Sequence, residues 1–393
     1  MRWGLAGGAV AALALVAGLG VALPADLPPL RPDEVASVVS LGPWPPPAAR
    51  DASNRVSGSA EAVALGEALF HSTRLSTVGG LRCASCHAPW RRFTDGRARA
   101  LGAEDGARNT PTLLNVRLQH WFGWDGANDS LWAQSIRPML DAREMRADAA
   151  HIAGALRDDE TLKRLYAGAF GHAPPTDDET ALVDAGKALA AYQETLASER
   201  TPFDAFRDAL LRGDDAAAQR YPVAAQRGLR LFVGRGQCVA CHAGPNFSDG
   251  EFHRSRIASK LRDGVADGGR ALGLEKLRNS VYARGGRFDD EIRAAAKPAS
   301  AKPAAPRPET QQAAEAGAFR TPGLREVSAT APYMHDGSIA NLCEALQPHA
   351  MLPEGREAPA LTLAERRDLV AFLRTLGARE AAVLTDEDAM TCG

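Results

Sequence analysis

Apolar residues along this chain recur at helical spacing far more often than they alternate. From Glu61 the positions Val63, Leu65, Leu69 and Phe70 fall on one side of a helix. Two further apolar stretches, Ala185 to Leu196 and Leu363 to Leu376, read the same way, and Thr362-x-x-Glu365 supplies a capping signal for the second. Strand-like alternation is scarce, so the pattern predicts a mostly α protein. At the N-terminus Arg2 is followed by an unbroken apolar run from Gly4 to Leu23, then by Pro24-Ala25-Asp26. Residues 1–25 therefore read as an export signal cleaved near Ala22 or Ala25, with an uncleaved membrane anchor as the alternative. Residues 26–55, including Pro45-Pro46-Pro47, predict an extended tether. The Ala/Pro stretch 294–318 predicts a flexible surface loop, since such a composition builds no packed core.

The two halves repeat each other. Gly66-x-x-Leu69-Phe70 returns as Gly228-x-x-Leu231-Phe232, and Phe93-Thr94-Asp95-Gly96 returns as Phe247-Ser248-Asp249-Gly250. Thr110-Pro111-x-Leu113-x-x-Val116 returns as Thr321-Pro322-x-Leu324-x-x-Val327, and Asp125-Gly126 as Asp336-Gly337. With the C-x-x-C-H strings Cys83-x-x-Cys86-His87 and Cys238-x-x-Cys241-His242 at matching places, this predicts two cytochrome c-like haem domains from one duplicated unit, spanning 56–205 and 206–393, with Gly213-Asp214-Asp215 as a turn in the linker.

The chemistry sits on the repeat. Cys83-Ala84-Ser85-Cys86-His87 and Cys238-Val239-Ala240-Cys241-His242 are two C-x-x-C-H motifs, the pattern of covalent c-type haem attachment. The thiols add to the haem vinyl groups, and His87 and His242 reach the irons. A zinc site made of both pairs leaves both histidines unexplained. Export and covalent haem agree on a periplasmic location. Of six cysteines, Cys343 and Cys392 remain, either as a disulfide tying the C-terminus to the core or as two free thiols. A net charge of −2 indicates no broad basic surface for nucleic acid. With 393 residues, 45% hydrophobic and 24% charged, the chain is long enough for two ordinary globular domains.

Where the repeat breaks, the chemistry differs. From Thr110 to Pro138 the halves align at a constant offset of 211, which pairs His349 with Pro138. His349 is a candidate sixth ligand of the second iron, with Met334, Met351 and His335 as rivals. Pro138 has no ligating atom, so the first iron is left open to peroxide or oxygen while the second transfers electrons. Near it, Glu144 could shuttle a proton between the peroxide oxygens and Gln134 could hold them by a hydrogen bond; a surface charge is the plain alternative for Glu144. Trp124, which the repeat pairs with His335, is either packing or an electron relay between the haems.

These strings resemble the bacterial dihaem cytochrome c peroxidase and MauG family over about residues 58–376, with "RNTPTLLNV", "SLWAQSIRPMLDAREM", "CVACHAGPNFSDGEFH" and "TAPYMHDGS" in family order. The resemblance implies that the His87 haem reacts with peroxide and the His242 haem stores electrons. It places Trp124 between the haems and Gln134, Pro138 and Glu144 in the distal pocket. It also implies a calcium ion held by Asn109, Thr330 and Pro332 between the domains, an oxygen-only set that suits this cation. Many of the peroxidases carry a histidine that must leave the first iron, and this chain lacks it. At the second iron those peroxidases use methionine and MauG tyrosine, where this chain has His349.

"WFGWDGANDSLWAQSIRPMLD" is most similar to MbnH-like enzymes. The likeness implies that hydrogen peroxide drives oxidation of an exported partner through a bis-ferryl state shared through Trp124, converting tryptophan to kynurenine in a copper-binding protein. Two alternatives stand beside it: a peroxidase fed by a small cytochrome or cupredoxin, and a non-enzymatic dihaem electron carrier.

Overall fold

The computed structural model describes residues 28–47, 49–254, 257, 261, 264–295, 316–347, 359–378 and 392. The export signal, most of the Ala/Pro stretch, His349 and Met351 lie outside the described residues. The chain folds as expected into helices: α1 (Pro32–Ser40), α2 (Ala60–His71), α3 (Cys83–Cys86), α4 (Leu131–Leu140), α5 (Ala149–Asp158), α6 (Glu160–Phe170) and α7 (Asp178–Gln193). The series continues with α8 (Pro202–Arg212), α9 (Asp215–Ala218), α10 (Val223–Val233), α11 (Arg270–Arg278), α12 (Asp290–Ala294), α13 (Leu342–Ala345) and α14 (Leu363–Arg374). Two short antiparallel strands, β1 (Phe252–Arg254) and β2 (Ala318–Arg320), pair Phe252 with Arg320. No helix among the described residues is long and apolar enough to cross a membrane.

Two apolar cores form. In the first, Leu65, Leu69 and Phe70 of α2 pack with Trp132 and Ile136 of α4, Tyr166 of α6 and Leu189 of α7. In the second, Phe203 and Phe206 of α8 pack with Leu229 and Phe232 of α10 and Phe372 and Leu373 of α14. The same feature sets both main crossings. A Cβ on Gly66 would stand 2.0 Å from the Ala188 carbonyl of α7, and one on Gly228 would stand 1.9 Å from the Asp368 carbonyl of α14. Only glycine lets these backbones approach so closely.

Other local features recur at the offset read from the sequence. Asn115 (φ 63°) and Glu326 (φ 62°) are left-handed residues that each open a short 3-10 turn. Bridges pair Phe122 with Asn128 and Tyr333 with Ile339.

Three expectations need correction. The Pro-rich stretch is no extended tether: Asp33 and Glu34 open α1, and Val35, Val38 and Leu41 bury themselves in the second core. Trp44 joins it there, its Nε1 donating to the Ser198 carbonyl at 3.1 Å. The boundary at 205/206 lies inside α8, whose Phe203, Phe206, Ala209 and Leu210 all belong to the second core. Finally, residues 270–295 of the second half cross to the first. Phe288 enters the first core, and Asp290 meets the buried ammonium of Lys187 at 2.6 Å, where the Phe288 carbonyl also accepts at 2.8 Å. The turn at Gly213 is as expected, in left-handed conformation at the end of α8. Cys343 and Cys392 are joined in a disulfide with their Cα atoms 5.3 Å apart.

Gly66→Ala and Gly228→Ala should each destabilise the protein by about 1–3 kcal/mol, the range for overpacking a tight contact. Gly79→Ala, where a Cβ meets nothing within 4 Å, should leave stability unchanged. Chemical denaturation of the three variants against wild type checks this.

Candidate haem and redox site

Both C-x-x-C-H motifs fold as a single turn that delivers the histidine. The His87 amide donates to the Cys83 carbonyl at 2.9 Å, and the His242 amide to the Cys238 carbonyl at 2.9 Å. In each half the ring Nδ1 then lies against the carbonyl of the phenylalanine that follows: Phe93 at 3.1 Å and Phe247 at 3.0 Å. Those phenylalanines hold positive φ, 59° and 53°, which turns their carbonyls back toward the ring. With Nδ1–H donating to a carbonyl, the Nε2 lone pair faces outward, as a metal-binding imidazole requires. Burial lowers the pKa of His87 against the opposing pull of the Phe93 carbonyl, keeping the ring neutral.

None of the four motif cysteines is in a disulfide. Burial pushes the Cys83 and Cys238 thiols up to about 12 and Cys86 to about 11. All four cysteines are partly accessible, as attachment to a haem edge requires. Cys241, Asp249 and His253 lie within 4.8 Å of one another, but a cysteine used as a thioether leaves two donors, and His253 Nε2 already pairs with Asp249 at 2.7 Å.

The residues fit a haem beside the second motif. A cavity of about 600 Å³ opens on Cys238, Cys241 and His242 and is walled by Phe232, Tyr333, Leu342 and Leu346. That volume is in the range of cofactor pockets. Arg320 also lines it, fully buried. Its Nε reaches the Gly123 carbonyl at 3.3 Å and one Nη the Thr321 carbonyl at 3.2 Å, yet it meets no carboxylate among the described residues. Burial alone pulls its pKa down to about 10. Arg366 lines the same space with its Nε unbonded. A buried arginine without an acid, beside a half-buried one with an unbonded Nε, suits carboxylates, and haem carries two propionates.

Trp124 comes from the first half but stands on the wall of this cavity. Its Nε1 donates to the Asn109 carbonyl at 2.9 Å, and the Asn109 amide donates to the His335 carbonyl at 2.8 Å. The indole meets the His335 ring edge-on at 6.5 Å, and that ring stacks on Phe319 at 3.5 Å. Trp124 and His335, which the repeat pairs, thus face each other across the junction. Asn109, Thr330 and Pro332 line this same wall, as does Met334. Arg108 clamps the junction, bidentate to Asp267 at 2.8 and 2.7 Å and bridging to Asp125 at 2.7 Å. Burial would raise Asp125, but Arg108 and Lys276 outweigh it and bring its pKa to about 2.

Beside the first motif, α4 ends near Pro138 and the chain doubles back, the Met145 amide donating to the Pro138 carbonyl at 3.1 Å. The return sets Glu144 Oε1 2.8 Å from Arg137 and brings its charge within reach of Cys83, Cys86 and His87. Gln134 Oε1 accepts from Asn128 at 2.8 Å, leaving its amide hydrogens to offer. Arg137, Arg320 and Phe319 were not singled out in the sequence. Arg320 was within reach there, because it precedes Thr321-Pro322 as Asn109 precedes Thr110-Pro111.

Comparisons with known proteins agree with this geometry. The family model described as di-haem cytochrome c peroxidase matches residues 60–215. The chain is 35% identical over 334 residues to the methylamine utilization protein MauG of Methylorubrum extorquens, covering 82% of this chain and 80% of that one. It is 32% identical over 347 residues to the cytochrome-c peroxidase IdrP2 of Denitromonas iodatirespirans, covering 81% and 82%. Among solved structures, a MauG-like protein associated with microbial copper homeostasis superposes with a TM-score of 0.61 at 26% identity, covering 86% of this chain and 97% of that one.

Burial, aided by the Arg108 charge, lowers the pKa of His335 to about 4 against the pull of Asp336 and Asp267. The unfolded chain, with an ordinary histidine near 6.5, binds the extra proton first. Stability should therefore be fully present above pH 6.5 and fall as pH drops toward 4. His335→Phe should flatten that part of the profile, read by denaturation midpoints at a series of pH values.

Proposed function

We propose, because the chain belongs to the di-haem cytochrome c peroxidase and MauG family, that it is an exported enzyme using hydrogen peroxide to oxidise a partner protein. Members of this family carry two c-type haems, and the chain is an oxidoreductase of the dihaem peroxidase type. The observation that carries the finer reading is Trp124, buried at the junction and hydrogen-bonded to a backbone carbonyl, where an indole can pass charge between the halves. The MauG-like relative associated with copper homeostasis favours a copper-binding partner, with tryptophan converted to kynurenine. We also read the recurring turns and glycine crossings as the trace of one duplicated haem unit.

When bound, the haems supply the iron that reacts with peroxide and a second centre that shares the oxidation. The residues of the chain do the rest. His87 and His242 would hold the irons, each ring fixed through Nδ1 by its phenylalanine carbonyl. Pro138, which has no ligating atom, would leave the haem held by His87 able to take peroxide. Glu144, with Oε1 2.8 Å from Arg137, would be the carboxylate placed to take up a proton there and return it. Gln134 offers its amide hydrogens to the bound oxygens. Asn109, Thr330 and Pro332 would supply oxygens to a calcium ion that stiffens the wall beside Trp124. Arg320 and Arg366 would anchor propionates. His349 remains the proposed sixth ligand of the second iron.

A second reading, peroxide reduction fed by a small cytochrome or cupredoxin, draws on the cytochrome-c peroxidase relatives. Stoichiometric peroxide added to the resting protein separates the two. An optical change that appears and persists without an electron donor supports the partner-oxidising reading. No reaction until an electron is supplied supports the peroxidase and removes the role given to Pro138.

Glu144→Gln should slow peroxide consumption at least about a hundredfold, the lower range for losing a general base. A rate equal to wild type in stopped-flow measurements takes Glu144 out of the mechanism.

A further inference from the structure

The two turns that fix the histidines are not equally easy to hold. Residues 88–93 bring the Phe93 carbonyl to His87 through two consecutive left-handed residues, Arg92 (φ 55°) and Phe93 (φ 59°). The turn after His242 uses one such residue, Phe247 (φ 53°). A Cβ disfavours this region, so the conformation persists only where the surroundings over-determine it. Inside the first half, the Thr112 hydroxyl donates to the Arg92 carbonyl at 2.5 Å. A second hold comes from outside that half. Arg92 Nε donates to Glu326 Oε2 at 2.9 Å, and Glu326 belongs to the second half.

Glu326 is itself firmly held. It is 4% exposed, and its amide donates to the Leu376 carbonyl at 3.0 Å. Its other oxygen, Oε1, accepts from the Ala378 amide at 3.0 Å, so both carboxylate oxygens are tied. Its neighbour Arg325 holds the opposite turn. Nε donates to the Pro245 carbonyl at 2.6 Å, two residues before Phe247. Both Nη atoms grip Asp204 of α8, at 2.9 and 2.8 Å, and the guanidinium lies 3.6 Å over the Trp44 ring. Two consecutive residues therefore brace both histidine turns, one in each half. The first half does not return the grip. The offset of 211 pairs Arg325 with Leu114, which has no side-chain donor, and Glu326 with Asn115. The Asn115 side chain is spent on Ser198, at 3.1 and 2.8 Å.

We propose that Glu326 is a positioning residue for His87, acting from the second half through Arg92 and the Phe93 carbonyl, while Arg325 does the same for His242 through Pro245. This rests on the two histidines being haem ligands, and not on what the first iron does with peroxide. An imidazole whose Nδ1–H is held by a carbonyl is a stronger donor at Nε2. A slackened turn weakens that hold and so changes the field at the iron. The first centre thus takes its ligand geometry from a carboxylate 234 residues along the chain, across the junction.

Electron paramagnetic resonance of the resting, oxidised holoprotein tests this without peroxide or an electron donor. Arg92→Gln, in the turn itself, marks the signal of the iron held by His87. Glu326→Gln keeps the side chain's size and an acceptor for the Ala378 amide, but removes the charge that holds Arg92. It should shift that same signal, and the double variant should shift it no further, since the pair acts as one unit. Arg325→Lys keeps a charge for Asp204 but loses the Nε donor. It should shift the other signal and leave the first in place. A lower denaturation midpoint for Glu326→Gln with both signals unchanged, as a merely structural ion pair would give, overturns the proposal. A Glu326→Gln shift confined to the signal that Arg325→Lys moves, or equal in both signals, overturns it too. The spin state of the first signal in wild type reports separately on the open site, so failure of that reading leaves this test standing.

Discussion

A histidine ring can hold a metal through Nε2 only if something fixes its other nitrogen, and here that something is a backbone carbonyl. Phe93 and Phe247 each bend into the left-handed region, at a cost of about 1–2 kcal/mol, to aim that carbonyl. The bend survives because the rings that follow it are packed. Phe93 meets Phe70 of α2 at 6.2 Å, and Phe247 sits among Phe203, Phe232 and Phe372 at 5.2 to 6.3 Å. Those helices are in turn set by the glycine contacts under α2 and α10. Core packing is therefore transmitted, through one aromatic residue per half, to the orientation of each metal ligand.

The junction between the halves is built on a different principle. Its acids are buried, and each meets a cation: Asp125 with Arg108 and Lys276, Asp267 with Arg108, Glu326 with Arg92. Removing one member of such a set leaves a charge stranded, so the set acts as a unit. Trp124 and His335 sit inside this frame, hydrogen-bonded through Asn109. The relay proposed for Trp124 would be held by the clamp around it, which suits transfer of charge with little movement of the surroundings.

Much of this was legible in the sequence. Helical spacing gave the architecture, the two C-x-x-C-H motifs marked the histidines whose rings the carbonyls fix, and the offset of the repeat located matching turns to the residue. Gly66 and Gly228 stood out as letters before their contact was known. Three things were hidden. Proline-rich composition outweighed the weak helical signal of Pro32–Ser40, whose burial depends on distant Phe203 and Phe206. The crossing of residues 270–295 leaves no local mark, because Phe288 and Asp290 gain their partners only in three dimensions. Arg137 and Arg320 looked like ordinary arginines, and only their missing or shared counter-charges distinguish them.

That crossing segment has a consequence for how the protein is made. The first core closes on Lys187 with an acid, Asp290, that lies about a hundred residues further along the chain. Until that stretch is in place, the ammonium of α7 has only the Asp184 charge, the face of Trp132 and water to lean on, and the place of Phe288 stands empty. The first attachment motif then stands on a half whose interior is not sealed. A half-length fragment ending at the domain boundary would stay in that unsealed state, so the two haem units are not modules that can be parted and exchanged.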